Sequence, residues 1–228
     1  MNHGPFLFLG LFATFAWSWF ALVLKPQNEL GTLEPEKNPV TGEVYPLNRA
    51  GAAQQGRDVY RANGCAACHT QQVRSRESGS DMARGWGVRP TVARDFIFDN
   101  PAMPGVFRIG PDLANVGNRQ RDPKWHFSHL YNPRIKSPGS SMPPYRYLFE
   151  KHKTGVAPSA DAIDTGTYSP GAGYEILPTD EARSLVDYMM SLKADTYIFE
   201  VPNPHPSTNA PTGTTNAVAG AVTNAPTQ

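Results

Sequence analysis

The two cysteines of this 228-residue chain, Cys65 and Cys68, lie three positions apart, and His69 follows directly. A disulfide between residues so close would close only a very short loop, so the chain is not a disulfide scaffold. The pattern Cys-x-x-Cys-His is typical of covalent c-type haem attachment. Two thiols on one turn can each bond to a vinyl group of the porphyrin, and the adjacent imidazole then lies under the ring as an iron ligand. We therefore predict one covalently bound haem c at Cys65, Cys68 and His69.

Two other uses of the cysteine pair are less consistent with the sequence. A redox-active dithiol is expected in a thioredoxin-like βαβ setting, and no such pattern surrounds Cys65. A structural zinc site needs four ligands. The remaining candidates His126, His129 and His152 are scattered rather than spaced as a second ligand pair.

The second axial ligand must come from elsewhere in the chain. Residues 137–145 read Ser-Pro-Gly-Ser-Ser-Met-Pro-Pro-Tyr, a proline-rich loop that can hold the sulfur of Met142 in place. Thioether ligation raises the haem potential, which suits electron transfer. A methionine that merely fills a gap in the core is the alternative for Met142. His126 or His129 would instead give iron with two histidine ligands. The other methionines considered are Met82, Met103, Met189 and Met190.

The stretch Arg108-Ile-Gly-Pro-Asp-Leu113 predicts a turn close to the haem. We expect the carbonyl of Pro111 to accept the Nδ1 proton of His69, which would fix the tautomer of the ligand. Leu113 would then pack on the haem face. An ordinary loop turn is the alternative reading of this stretch.

Residues 5–24 form an apolar run with no charged side chain, and Trp17 and Trp19 lie near its C-terminal end. Twenty helical residues span about 30 Å, the thickness of a bilayer core. A cleaved signal peptide is less favoured, because residues 1–4 contain no Lys or Arg and no small-residue cleavage site follows. We predict a single-pass helix in a bacterial inner membrane. Since haem attachment of this kind occurs outside the cytoplasm, residues 1–4 are expected in the cytoplasm and the C-terminal domain in the periplasm.

The remaining chain divides by composition. Residues 25–48 carry four prolines and predict a linker, 49–200 a monohaem cytochrome c domain, and 201–228 a disordered tail poor in core-forming residues. Helices are predicted at 51–63, at 123–131 and at 180–193, with Gly64, Asp122 and Thr179 as their capping residues. The expected fold is mostly α: one transmembrane helix and a class I cytochrome c-like domain with long loops.

The formal net charge of +1 gives no electrostatic footprint for nucleic acid. The charge is nevertheless uneven, because residues 65–150 hold twelve Lys or Arg against seven Asp or Glu. Two interpretations of this arginine-rich block stay open. It is a solvated surface, or some guanidinium groups pair with haem propionates.

Several segments together resemble one protein family. They are 56–60 (Gly-Arg-Asp-Val-Tyr), 64–74 (Gly-Cys-Ala-Ala-Cys-His-Thr-Gln-Gln-Val-Arg), 108–113, 125–126, 129–130, 132–134 and 141–143 (Ser-Met-Pro). This set is similar to the monohaem subunit II of cbb3-type cytochrome c oxidases. The resemblance implies that His69 and Met142 are the axial ligands. It also implies an electron relay from a dihaem cytochrome c subunit to the haem–copper catalytic subunit, which reduces oxygen to water.

Two other functions are considered beside the oxidase relay. The cytochrome c subunit of a nitric oxide reductase shares the anchor and the single haem, but not the run His-Thr-Gln-Gln-Val-Arg at 69–74. A free-standing tethered electron carrier or redox sensor would have no fixed enzyme partner. The sequence shows no nucleophile–base pair and no informative pair of carboxylates, so the isolated chain is not expected to be an enzyme.

Overall fold

An apolar helix, α1 (Gly4–Leu30), begins the chain in the computed structural model, which describes residues 3–38, 42–196 and 198–201. The helix has 27 residues and is long and apolar enough to cross a membrane. It confirms the predicted helix and extends it by six residues beyond Leu24. Pro26 would clash with the carbonyl of Leu22 in a regular α-helix, and wider π-type turns over Phe20–Leu24 accommodate its ring.

The segment after α1 is held on the domain over much of its length. Its hairpin pairs β1 (Glu36–Lys37) with β2 (Val44–Tyr45) in antiparallel fashion. We call residues 34–38 and 42–49 the stalk. Arg94 donates to the carbonyl of Glu34 and lies 3.5 Å from the carboxylate of Glu36. The predicted linker therefore contains the last turn of α1 and a stretch that contacts the domain.

The three helices predicted for the domain are present. They are α2 (Ala52–Ala62), α4 (Pro123–Tyr131) and α5 (Asp180–Ser191). A short additional helix, α3 (Val116–Arg119), lies between α2 and α4 in the chain. Asp122 caps α4 by accepting the N–H of Lys124 at 2.9 Å, and Thr179 caps α5 by accepting the N–H of Ala182 at 3.2 Å. Helix α5 ends at Ser191, two residues before the predicted end at 193.

Helices α2 and α5 form the closest helix pair of the domain and enclose its core. At their contact, a Cβ placed on Gly56 would lie 1.7 Å from the carbonyl oxygen of Ser184. The rings of Tyr60 and Tyr188 meet at the same crossing, with centroids 5.3 Å apart. The absence of a side chain at Gly56 therefore sets how closely the two helices approach.

A second hairpin, β3 (Phe149–Lys153) with β4 (Tyr174–Pro178), was not expected from the sequence. The four residues after Phe149 are charged or polar and exposed, so β3 shows no alternation of apolar and polar residues. Apart from the two hairpins, the described part of the domain consists of helices and long loops. The prediction of a mostly α fold behind an apolar N-terminal helix is confirmed. The predicted disordered tail, from residue 202 on, lies outside the described residues.

Candidate haem site

The cysteine motif follows directly on α2. Gly64 adopts a left-handed conformation (φ +67°) that ends the helix, as predicted, and Cys65–Ala67 form a single 3₁₀ turn. The backbone N–H groups of Cys68 and His69 both donate to the carbonyl of Cys65, at 3.1 and 3.0 Å. This turn places two free thiols and one imidazole on adjacent positions of a rigid element, as the sequence pattern requires.

The imidazole of His69 is oriented by the turn at Gly110-Pro111. Its Nδ1 lies 2.8 Å from the carbonyl oxygen of Pro111, which confirms the predicted hydrogen bond. Gly110 lies directly against the ring, since a Cβ there would be 2.2 Å from Cε1 of His69. Because a carbonyl only accepts, Nδ1 carries the proton and Nε2 is left as the nitrogen that can bind iron.

Burial makes the cysteine pair unsuited to a dithiol redox centre. Desolvation raises the pKa of the Cys65 thiol to about 11, so this thiol is neutral near pH 7. Reactive cysteines have a lowered pKa, because the thiolate is the nucleophile. Among the described residues, no group of three or more His, Cys, Asp or Glu side chains is placed to hold a metal ion. The structure therefore gives no support to the zinc and dithiol alternatives.

Aromatic side chains surround Cys65. Burial, followed by the nearby Cys65, raises the pKa of Tyr145 to about 12, and the same two causes raise the pKa of Tyr147. Tyr60, fully buried in the core, lies within electrostatic range of the same thiol. These rings form an aromatic wall near the attachment point, which the sequence analysis missed because Tyr60 comes from a segment far from Tyr145 and Tyr147.

Met142 lies on the loop that returns toward this wall. Its side chain is half-buried and packs against the core cluster that Cys65 also contacts. The loop is fixed at both sides of Met142: its N–H donates to Ser140 Oγ at 3.2 Å, and the N–H of Tyr145 donates to the carbonyl of Leu130 at 2.9 Å. The role of Met142 as an iron ligand stays a prediction, and this placement supports it.

The two histidines of α4 differ in their bonding. His126 is buried, and its Nε2 lies 2.9 Å from the carbonyl oxygen of Gln120. His129 stacks on Trp125 with ring centroids 4.6 Å apart, and its Nδ1 is shielded from solvent with no hydrogen-bond partner in the described part of the chain. Burial lowers the pKa of His129 to about 4, with smaller contributions from His126 and His69. An orphaned polar atom this close to the motif fits a group that the chain alone does not supply.

Part of the arginine-rich block serves inside the protein rather than as a solvated surface. Arg89 is only 2% exposed and binds both carboxylate oxygens of Asp95, at 2.6 and 3.0 Å. Arg108 donates to Thr70 Oγ1 at 3.0 Å and pairs with Asp81 at 2.5 Å. These guanidinium groups hold loops together near the motif. The pairing of other arginines with propionates stays a prediction.

The two adjacent thiols, the histidine held by a carbonyl and the aromatic wall fit one haem at this site. Together with the helical domain and its apolar helix, they define a membrane-anchored electron-transfer cytochrome. A family model described as "Cytochrome C oxidase, mono-heme subunit/FixO" matches residues 43–196, and the chain belongs to this family.

Family membership confirms the resemblance to the monohaem subunit II of cbb3-type oxidases. The chain is thus an electron-transfer subunit of a cytochrome c oxidase complex. It carries one haem and is not the catalytic subunit. Among curated proteins, none matches the chain.

Proposed function

We propose that this chain takes electrons from a dihaem cytochrome c subunit and passes them to the haem–copper subunit that reduces oxygen to water. The observation that carries the proposal is the hydrogen bond from His69 Nδ1 to Pro111, directly behind two thiols, in a chain of the mono-heme oxidase family. The resemblance to cbb3-type oxidases supplies the direction of transfer. The haem, when bound, supplies a one-electron couple.

The residues of the chain hold that couple and shield it. Cys65 and Cys68 would hold the haem through thioether bonds, and His69 would present Nε2 to the iron. Met142 would supply a second iron ligand from its loop. With both ligands bound, the iron would have no position open for a substrate, so the chain would transfer electrons without making or breaking bonds in oxygen.

The proposed location follows from the chemistry of attachment. Helix α1 crosses the bacterial inner membrane once, with residues 1–4 in the cytoplasm. The domain lies in the periplasm, where haem is attached to cysteine thiols. The apolar length of α1 supports this proposal, and the exposed rings of Trp17 and Trp19 suit the membrane interface.

Purification in a mild detergent tests the function. An affinity tag on this chain is expected to recover an assembly that contains c-type haem and copper and consumes oxygen, and an untagged strain serves as the control. Recovery of a lone monohaem protein would instead favour a free-standing tethered carrier. Recovery of a non-haem iron complex that reduces nitric oxide would favour the nitric oxide reductase subunit.

Replacement of Met142 by alanine tests the second axial ligand. We expect loss of the weak sulfur-to-iron absorption band near the red edge of the visible spectrum, and a lower reduction potential, because a thioether favours ferrous iron. Met189→Leu is the matched control, since Met189 packs on the core from α5 and its loss should leave the band in place. An unchanged spectrum in Met142→Ala would assign the ligand to another residue.

A further inference from the structure

The carboxylate of Asp112 is fully buried beside the residue that orients the haem ligand. Asp112 directly follows Pro111. Its Oδ2 accepts the hydroxyl proton of Thr70 at 2.5 Å and the N–H of Gln72 at 2.7 Å, and its Oδ1 accepts the N–H of Ala114 at 2.8 Å. All three partners are donors, which is the environment of an ionised carboxylate that accepts only.

Among the described residues, the cation nearest the Asp112 carboxylate pairs with it only loosely. The nearest guanidinium contact to its carboxylate is Arg108, at 3.9 Å from Oδ2, and Arg108 pairs more closely with Asp81, at 2.5 Å. Arg119 approaches from the other side and donates to the backbone carbonyl of Asp112 rather than to its carboxylate. The carboxylate charge of Asp112 is therefore only partly neutralised by nearby cations, and its electrostatic field reaches the buried groups around it.

The hydrogen bonds of Asp112 connect the two segments that form the ligand's support. Thr70 directly follows His69, and Asp112 directly follows Pro111. The hydrogen bond between Thr70 and Asp112 therefore joins the segment that carries His69 to the segment that carries its acceptor. The backbone bond from the N–H of Leu113 to the carbonyl of Thr70, at 2.7 Å, runs alongside it. Asp112 thus helps to fix the separation of His69 from the Pro111 carbonyl.

The charges of Asp112 and Arg119 act in opposite directions on the iron that His69 would hold. The buried carboxylate bonds Thr70, the residue after His69, and the Arg119 guanidinium contacts the backbone carbonyl of Asp112. Nearby negative charge stabilises the more positive, ferric iron, whereas nearby positive charge stabilises ferrous iron.

We propose that Asp112 is a positioning residue that sets the reduction potential of the haem. Its buried charge stabilises the oxidised state, and its hydrogen bonds hold the Pro111 carbonyl against His69. Arg119 opposes that charge. The inference rests on the proposed function in that it takes His69 as the iron ligand.

Redox titration of the purified oxidase complex tests the inference through the midpoint potential of this haem. Asp112→Asn removes the charge with little change in shape and is expected to favour the reduced form by about tenfold, which is 59 mV for a one-electron couple. Thr70→Val removes one hydrogen bond of Asp112 but keeps the charge, and its shift is expected to be less than half as large in millivolts. An Asp112→Asn potential that is unchanged or lower, or equal shifts in both variants, would overturn the electrostatic role.

Arg119→Gln gives a second measurement that does not depend on a buried substitution, because Arg119 is an exposed residue. Removal of this cation is expected to lower the midpoint potential, because the oxidised form is then favoured. A raised or unchanged potential would contradict the proposal even if Asp112→Asn fails to fold. Haem staining of the wild-type chain keeps the two proposals separate. A chain without haem defeats the proposed function, whereas a haem-loaded chain with unshifted variants defeats only the role of Asp112.

Discussion

The double variant Cys65→Ala with Cys68→Ala is expected to carry no haem on a denaturing gel stained for haem peroxidase activity. Both thiols are free and half-buried at the edge of the core, so alanine removes both sites of the proposed covalent attachment without removing the turn that positions His69. Axial ligation alone does not survive denaturation, whereas a thioether bond does. The wild-type chain, at 24.9 kDa, should stain at its own position on the gel.

The matched control for this experiment lies between the two thiols. Ala67→Ser changes an exposed residue of the same turn and keeps both sulfur atoms, so its haem staining should equal that of the wild type. Each single cysteine variant should retain covalent haem through the other thiol. A stained band for the double variant, expressed with the haem maturation machinery, would contradict covalent attachment at these positions.

Gly56→Ala is expected to be the most destabilising single substitution in the helical core. The new Cβ would lie 1.7 Å from the carbonyl oxygen and 2.3 Å from the carbonyl carbon of Ser184 on α5. Backbone atoms of a packed helix cannot move aside as a flexible side chain does, so α2 and α5 must separate. Overpacking of a core costs about 1–3 kcal/mol and occasionally more, and this contact belongs at the upper end. Such a loss is a large part of a typical stability of about 5–15 kcal/mol.

Thermal unfolding of the detergent-solubilised chain, followed by circular dichroism, measures this effect. In an exposed helix the same substitution would stabilise by up to about 1 kcal/mol, so the expected sign is opposite to the effect of helix propensity alone. Gln55→Ala, on the exposed side of α2, is the control and should unfold at nearly the wild-type temperature. Equal unfolding temperatures for Gly56→Ala and the wild type would mean that the helices do not meet at this residue.

The parts of the fold that the sequence predicts are those with local causes. Asp122 and Thr179 cap α4 and α5 through residues two or three positions away, and Gly64 ends α2 by its own backbone conformation. The bond from His69 to Pro111 spans 42 positions and is still predictable, because the turn at Gly110-Pro111 accompanies the cysteine motif. A local signal therefore reveals even a distant contact when each partner has its own recognisable pattern.

Contacts between segments without such patterns could not be anticipated. The hydrogen bonds of Asp112 to the chain after His69 depend on how two irregular loops lie side by side. The orphaned Nδ1 of His129 follows from the packing of α4 and not from its spacing along the helix. After Phe149, the strand Phe149–Lys153 is exposed and mostly charged, and its pairing with β4 through backbone bonds cannot be predicted from its hydropathy.

The contacts between the stalk and the domain limit how far a haem in this domain could move toward partner subunits. Only residues 31–33 separate the end of α1 from the contact between Glu34 and Arg94, and Arg94 also binds Glu200 at 2.7 Å. A carrier that shuttles between a donor and an acceptor needs slack in its tether, and three residues provide almost none. Under the proposed function, the haem of this domain would stay close to one position, and both donor and acceptor would have to come within tunnelling range of it. The rate of transfer would then depend on how the neighbouring subunits are arranged and not on diffusion of this domain.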